Sequence, residues 1–336
     1  MMALAEKSGS VISAVLFGAI AAAKVLPFPR EAFEKTIREG GKGANASLRA
    51  FAAAFDPKAE ATPEAQKRDV APAAPDFTGF PADIQDILRA GHAQCRDWQD
   101  DSYARLYLER LKPFVALEKP GESRLLGEVA RQLALAMTYE DTIRVADLKI
   151  RASRFARVSE EVGLKQGQLL QIREYLHPRA QEIAETLPGA LGRMVERPGL
   201  IRNAIESLTS EGKIVETSSV RGFLMLYMIA GLRRWRRANS RYASEQASIE
   251  GWLMRIRETV PRDGALAVEV AAMRTLVKGY SDTHKRGYEK FDRLSALVPK
   301  LTGPNAAEML AKLVKAALAD EEGKALDTAL KVEGLA

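Results

Sequence analysis

The 336-residue sequence predicts a mainly α-helical protein with one short two-stranded ribbon. Three observations carry that expectation. After residue 82, apolar residues recur at three- and four-residue intervals, as in Tyr103, Leu106, Tyr107 and Leu111, the spacing that lines one face of a helix. Only residues 169–176 and 213–217 alternate, or carry the β-branched residues, that an antiparallel ribbon needs. Between residues 56 and 81, Pro57, Pro63, Pro72, Pro75 and Pro81 among Ala, Glu and Lys preclude regular structure and mark a semi-rigid linker.

The elements follow in order. Residues 1–55 read as three helices. Ser10 is placed to cap the first, which Leu26-Pro27-Phe28-Pro29 ends. Pro29 opens the second, over 30–39, which stops at Gly40-Gly41, and residues 44–55 make the third. Residues 11–23 are apolar and follow Lys7, as a signal peptide would. The stretch falls short of the roughly 20 residues a spanning helix takes, Glu6 weakens the basic flank, and Gly9 and Gly18 suit close packing. A core helix is the better reading, and Val11, Val15, Leu16 and Ile20 then need a partner surface that the segment itself lacks. Beyond the linker, residues 82–336 read as one helical domain. Ile84, Ile87 and Leu88 open it, and a helix through Tyr103 reaches Pro113. A long helix over 125–160, interrupted near Thr138, carries Glu140–Arg144 and Asp147–Arg151 acid-first at i,i+4. After the ribbon, a long helix over 219–260 ends at Pro261, and further helices cover 265–279, 286–298 and 305–332.

The formal net charge is +6, with 28% charged residues of both signs, an ordinary soluble balance that does not by itself argue for nucleic acid. One cysteine, Cys95, excludes an intramolecular disulfide and a cysteine cluster, and His92, His177 and His284 have no metal-site spacing. The composition suits a reducing, cytoplasmic compartment. Gly40-Gly41-Lys42-Gly43 lacks the phosphate-loop spacing and follows no strand, and Gly-x-Ser-x-Gly, His-Glu-x-x-His and Cys-x-x-Cys do not occur. No catalytic residue and no metal ligand is assigned.

Two blocks remain as candidate contacts for an anion, a substrate or a partner. From Arg221 to Arg257 there are eight arginines and no lysine, against Glu245 and Glu250, and Arg233-Arg234-Trp235-Arg236-Arg237 lies in the middle. Arginine is the side chain for carboxylates, phosphates and ring faces. A helical wheel puts Trp235, Ala238, Tyr242, Ile249, Trp252, Ile256 and Val260 on one stripe, with Arg233 and Arg237 opposite. Three readings stay open: a core helix with solvated or paired arginines, a protein interface or buried ion pair, and nucleic acid. The last is disfavoured because the aromatics are not interleaved with the basic face. The second block runs from Lys278 to Gly287 as a turn between helices. There Ser281 or Asp282 is placed to cap and His284 to bind an anion or move a proton. The candidate residues are Arg221, Arg234, Lys278, Tyr280, Asp282, His284 and Arg286. Trp98-Gln99-Asp100-Asp101 with Tyr103 reads first as helix packing beside an acidic turn.

Taken in order, these blocks resemble a known family. Ser8-Gly9-Ser10-Val11-Ile12, Leu16-Phe17-Gly18-Ala19, Leu26-Pro27-Phe28 and Phe33-Glu34-Lys35-Thr36-Ile37-Arg38 are similar to the end of the gamma-type domain of 2-oxoacid:ferredoxin oxidoreductases. Four further blocks resemble the helical C-terminal domain of indolepyruvate ferredoxin oxidoreductase subunit beta. They are Asp97-Trp98-Gln99-Asp100 with Tyr103-Ala104, the run from Tyr139-Glu140-Asp141 to Lys149, Arg221-Gly222-Phe223-Leu224 with the arginine block, and Lys278-Gly279-Tyr280 with Asp282-Thr283-His284. The resemblance implies that residues 1–55 are a helical remnant of an α/β domain truncated at its start. It also implies a subunit of an enzyme that oxidatively decarboxylates indolepyruvate or related aryl-pyruvates to aryl-acetyl-CoA. Thiamine diphosphate, [4Fe-4S] clusters and CoA are then expected through a large alpha subunit, with none bound by this chain. Ferredoxin would be reached indirectly, and no membrane would be involved. The rival expectation is a free-standing helical module for RNA or another polyanion.

Overall fold

The computed structural model describes residues 12–40, 43–56, 75–118, 121–165, 168–176, 180–197, 199, 202–203, 213–279 and 281–335. The protein is mainly α-helical with a short antiparallel ribbon. In chain order the elements are α1 (Ile12–Ala22), α2 (Arg30–Glu39), α3 (Ala44–Phe55), α4 (Gln85–Trp98), α5 (Asp101–Val115) and α6 (Arg124–Met137). Next come α7 (Thr142–Ile150), α8 (Ala152–Glu161), β1 (Arg173–Leu176), α9 (Ala180–Thr186), α10 (Gly189–Glu196), β2 (Lys213–Glu216) and α11 (Val220–Gly231). A 3-10 helix, Leu232–Ala238, leads into α12 (Ser240–Thr259), followed by α13 (Gly264–Ala272), α14 (Ser281–Leu297), α15 (Ala306–Ala319) and α16 (Lys324–Val332).

The chain divides into two compact units. The first comprises residues 1–72, 146–177 and 210–231, and the second 73–145, 178–209 and 232–336. The apolar N-terminal helices draw in later segments. Phe28 meets Phe223 of α11 edge-on at 5.1 Å, and Phe17 meets Phe33 at 5.0 Å. Ala21, Leu26, Phe33, Phe51 and Phe223 form one buried cluster against which Phe155 of α8 packs. Of the residues expected to need an outside partner, Val15 is instead buried against Ala50 and Ala54 of α3 within the same segment, Leu16 and Ile20 stay exposed, and Val11 lies outside the described residues. The approach of α1 to α3 requires Gly18, where a Cβ would sit 2.3 Å from the Phe51 carbonyl oxygen. Gly9 and the Ser10 cap lie outside the described residues.

The ribbon pairs as the sequence predicts, Arg173 with Glu216 and Leu176 with Lys213. Val215 joins Ala146 and Leu226 in a second small core of this unit. Glu174 on β1 receives Lys149 at 2.5 Å and also Arg154, tying the ribbon to α7 and α8.

In the second unit, the core gathers α4, α5, α6, α12, α13, α15 and α16 around Trp98, Tyr103, Tyr107, Leu126, Leu133, Trp252 and Leu310. The large aromatics are buried with their polar tips satisfied. Trp98 Nε1 donates to Tyr139 O at 2.9 Å, Tyr103 Oη to Met137 O at 2.8 Å, and Trp252 Nε1 to Val270 O at 2.9 Å. Side-chain caps start α5 and α13, where Asp100 and Asp263 accept from the backbone of Tyr103 and Leu266, each worth about 1 kcal/mol.

Several expected long helices are broken. The 125–160 helix stops at Met137, where the interruption near Thr138 was expected, and breaks a second time at Arg151; Asp141 accepts from Arg144 N at 2.6 Å to restart it after the first break. The Asp147–Arg151 pair forms at 2.5 Å, while Arg144 reaches Asp97 at 2.7 Å. The 305–332 helix breaks where Asp320 accepts from Gly323 N and Ala325 N, with Gly323 at φ 84°. Among the described residues no helix is long and apolar enough to cross a membrane.

Candidate functional site

The long helix expected over 219–260 is also interrupted, and this interruption builds the site. Residues 232–238 form seven residues of 3-10 helix, longer than the usual three or four. Asn239 closes it, bridging Pro188 through its backbone and capping α12 through Tyr242 N at 2.7 Å. A 3-10 helix turns about 20° more per residue than an α-helix, so a wheel drawn at 3.6 residues per turn misplaces the middle of the block. Arg236 is the residue inside, 1% exposed, whereas Trp235 is 51% exposed. This reverses the sequence expectation that the tryptophan belongs to the core stripe.

Arg236 carries a fully engaged guanidinium. Nε donates to Asp141 Oδ2 at 2.7 Å and Nη2 to Oδ1 at 3.0 Å, a bidentate pair. Nη1 donates to Trp98 O at 2.6 Å and to Gln99 Oε1 at 3.0 Å. The guanidinium carbon lies 4.0 Å from the Trp98 ring centroid, a desolvated cation–π contact. Its neighbours extend the lock. Gln99 Nε2 donates to Arg233 O at 3.1 Å, Arg233 Nε donates to Gln99 O at 2.8 Å, and Arg237 donates to Asp100 at 2.8 Å and Ser102 Oγ at 2.7 Å. Burial opposes ionisation of Asp100, but Ser102, the Tyr103 N–H and Arg237 outweigh it and hold the carboxyl below its ordinary range.

One helical turn into α12 lies a second polar centre. Glu245 is 3% exposed in its side chain, and His284 Nε2 lies 3.1 Å from its Oε1. Tyr288 Oη donates to Oε2 at 2.8 Å, and Arg274 Nη2 and Arg241 Nε stand 3.6 and 3.8 Å away. Arg274 is oriented in turn by Ser248 Oγ at 2.8 Å and Tyr288 Oη at 3.1 Å. Burial pushes the Glu245 pKa up, but His284, Tyr288 and Arg241 outweigh that and leave it lowered. The arrangement can hold charge and anchor α14 on α12.

The candidate residues are not all assembled. Arg234 is exposed with its guanidinium carbon 5.3 Å from the Trp235 ring. His284 joins the Glu245 centre. Arg286 pairs with Glu321 at 2.8 Å, while Lys278 and Asp282 are exposed. Arg221 lies on the first unit, and Tyr280 lies outside the described residues. The turn expected from Lys278 to Gly287 is shorter than the sequence suggests, because α14 already begins at Ser281 and His284 sits in its first turns. Gly287 lets α14 pass close to the preceding segment, since a Cβ there would meet Leu276 O at 2.3 Å.

Sequence reasoning missed Arg236, Asp141, Gln99, Glu245, Arg274 and Tyr288 as site members. For Glu245 a signal existed. Tyr242, Glu245, Ile249, Trp252 and Ile256 keep strict three–four spacing, so the glutamate occupies a core position and needed partners.

A family model described as "Family of unknown function (DUF6537)" matches residues 84–296, well over half of the chain and a span that contains both polar centres. No curated protein and no solved structure matches the chain.

Proposed function

Taking as premise that the chain belongs to this family of unknown function, DUF6537, we propose that it serves as the beta-subunit region of an indolepyruvate-type 2-oxoacid:ferredoxin oxidoreductase. In this reading it docks on a large alpha subunit and does no chemistry of its own. The partner supplies thiamine diphosphate and the [4Fe-4S] clusters, binds CoA and passes electrons to ferredoxin in the cytoplasm.

One observation supports this reading above the others. Some of the sequence blocks that carry the resemblance interlock within the second unit. Trp98-Gln99-Asp100, Asp141 and Arg233–Arg237 meet in one hydrogen-bonded lock, and His284 closes on Glu245 beside it. The match therefore rests on residues that hold one another in place. The chain's own residues do not fit an iron–sulfur cluster. Cys95 is its one cysteine and is buried, with its thiol pushed up to about 12 by burial. Clusters bind thiolates, so the reading places them on the partner.

A polyanion-binding module is the rival. Against it stands the internal use of the arginines: Arg236 is buried on Asp141, Arg237 is paired with Asp100, and Arg233 is turned onto the Gln99 backbone. Co-expression with a thiamine-dependent large subunit tests the proposal, with a stable stoichiometric complex expected. Nanomolar RNA binding that weakens steeply with salt, in the absence of any such complex, would establish the rival.

A further inference from the structure

Residues 232–238 are wound against their own preference. The run Leu232-Arg233-Arg234-Trp235-Arg236-Arg237-Ala238 contains no glycine, proline or β-branched residue, and leucine, arginine and alanine are among the strongest α-helix formers. The fold nevertheless holds all seven residues as 3-10 helix, whose hydrogen bonds are poorer and which marks a hinge or strain when it runs this long. Its exposure is inverted as well, with Arg236 buried and Trp235 half in solvent. Continuing the winding of α12 back through the run, at about 100° per residue, would exchange the two. Trp235 would fall roughly 30° from the centre of the face that Ile249, Leu253 and Ile256 bury, and Arg236 roughly 130° from it. Such a conflict between local preference and observed packing is the mark of two competing arrangements.

Two devices hold the 3-10 form, and both lie wholly within the second unit. Arg236 engages Asp141, Trp98 O and Gln99. Asn239 has extended backbone, φ −87° and ψ 158°, which separates the run from α12 while its side chain caps Tyr242 N and its backbone bridges Pro188. A continuous α-helix gives up these contacts. In exchange it buries the Trp235 ring and restores i→i−4 hydrogen bonds, and Asp141 keeps the Arg144 N–H. It also releases Arg233, Arg236 and Arg237, now turned onto Gln99 O, Asp141 and Asp100. On an α-helix these three lie within about 100° of one another, opposite the buried face. We infer that residues 232–239 are a conformational switch. In the observed form the three arginines are held on internal acceptors; in the second form the run joins α12, with Trp235 buried and the three guanidiniums in solvent. The observed form predominates because a buried carboxylate stripped of its cation is costly. The inference is independent of the subunit reading.

The test uses the full chain labelled with 5-fluorotryptophan. Trp98 and Trp252 are buried and Trp235 is the exposed one of the three, so fluorine resonances, assigned with Trp235→Phe, read each ring separately. Solvent contact is read from the shift between H2O and D2O. Asn239→Ala removes the cap and its extended break, and Asp141→Asn weakens the hold on Arg236. In wild type the main Trp235 resonance should be solvent-exposed. Asn239→Ala should raise a second, solvent-shielded Trp235 resonance about fivefold, the population change that loss of a cap of ordinary strength produces. Asp141→Asn should raise the same resonance, and the two changes together should make it the main species while the Trp252 resonance stays in place. A Trp235 that remains solvent-exposed in both single variants and in the double variant overturns the inference. Collapse of all three resonances to the unfolded position in both single variants overturns it too, because a chain with a second packing at hand would keep Trp252 in its core when the first is removed.

Discussion

Replacing Arg236 with methionine tests the central lock most directly. The side chain is 1% exposed and makes four hydrogen bonds, two of them to the Asp141 carboxylate. Charged hydrogen bonds contribute about 1.5–3 kcal/mol each, but burying both ions offsets much of that sum. The measurable quantity is the cost of leaving Asp141 buried and unpaired, about 3–5 kcal/mol. At roughly 2–4 °C per kcal/mol for a domain of this size, the melting temperature should fall by about 6–20 °C. The assay reads one unit selectively, because Trp98, Trp235 and Trp252, the chain's three tryptophans, all belong to the second unit. Their fluorescence follows that unit while far-UV dichroism follows both. Combining Arg236→Met with Asp141→Leu should recover much of the loss, since no uncompensated charge remains. A single Arg236→Met variant whose tryptophan transition stays within about 2 °C of wild type would refute the reasoning.

Three further outcomes follow from the same geometry. Gly91→Ala sets a Cβ 2.4 Å from Tyr107 Oη and should destabilise the second unit by about 1–3 kcal/mol. Gly251→Ala, a helical position with nothing within 4 Å, should be neutral or stabilising by up to about 1 kcal/mol, so equal urea midpoints for the two variants would count against the packing described. Glu245 is held below the ordinary glutamate value, so the folded state binds its proton less readily than the unfolded chain. Its contribution is full above the ordinary value of 4.5 and is lost as pH falls through the lower folded value; stability profiles of Glu245→Gln should therefore be flatter on the acid side than wild type. Cys95 is buried with its thiol pushed up to about 12, and it should resist a thiol reagent at pH 8 until urea unfolds the protein, which timed absorbance would record.

Much of the fold was legible in the residues. Pro29, Gly40 and the apolar periodicity delimit α1 to α3, and the alternating stretches pair as β1 and β2. These are local signals, because proline, glycine and side-chain period act on the backbone within a few residues. Breaks set by side chains acting across a turn were less visible. Asn239 and Asp320 each restart a helix by accepting backbone N–H groups, and nothing in their spacing separates such a cap from an ordinary polar surface residue; the break before Asp141 was the one expected, near Thr138. The grouping of Phe223 and Phe155 with the N-terminal phenylalanines depends on long-range packing that periodicity does not encode.

The arginine block divides the two levels most clearly. The sequence alone established a dense arginine run flanked by apolar helix, and its single cysteine excluded a cysteine cluster. Which arginine went inside was decided by tertiary structure. The 3-10 winding of residues 232–238 and the presence of Asp141, Gln99 and the Trp98 ring at one place turned Arg236 inward and Trp235 outward. A buried guanidinium is stable only where acceptors from distant parts of the chain converge on it, and that convergence is a property of the fold.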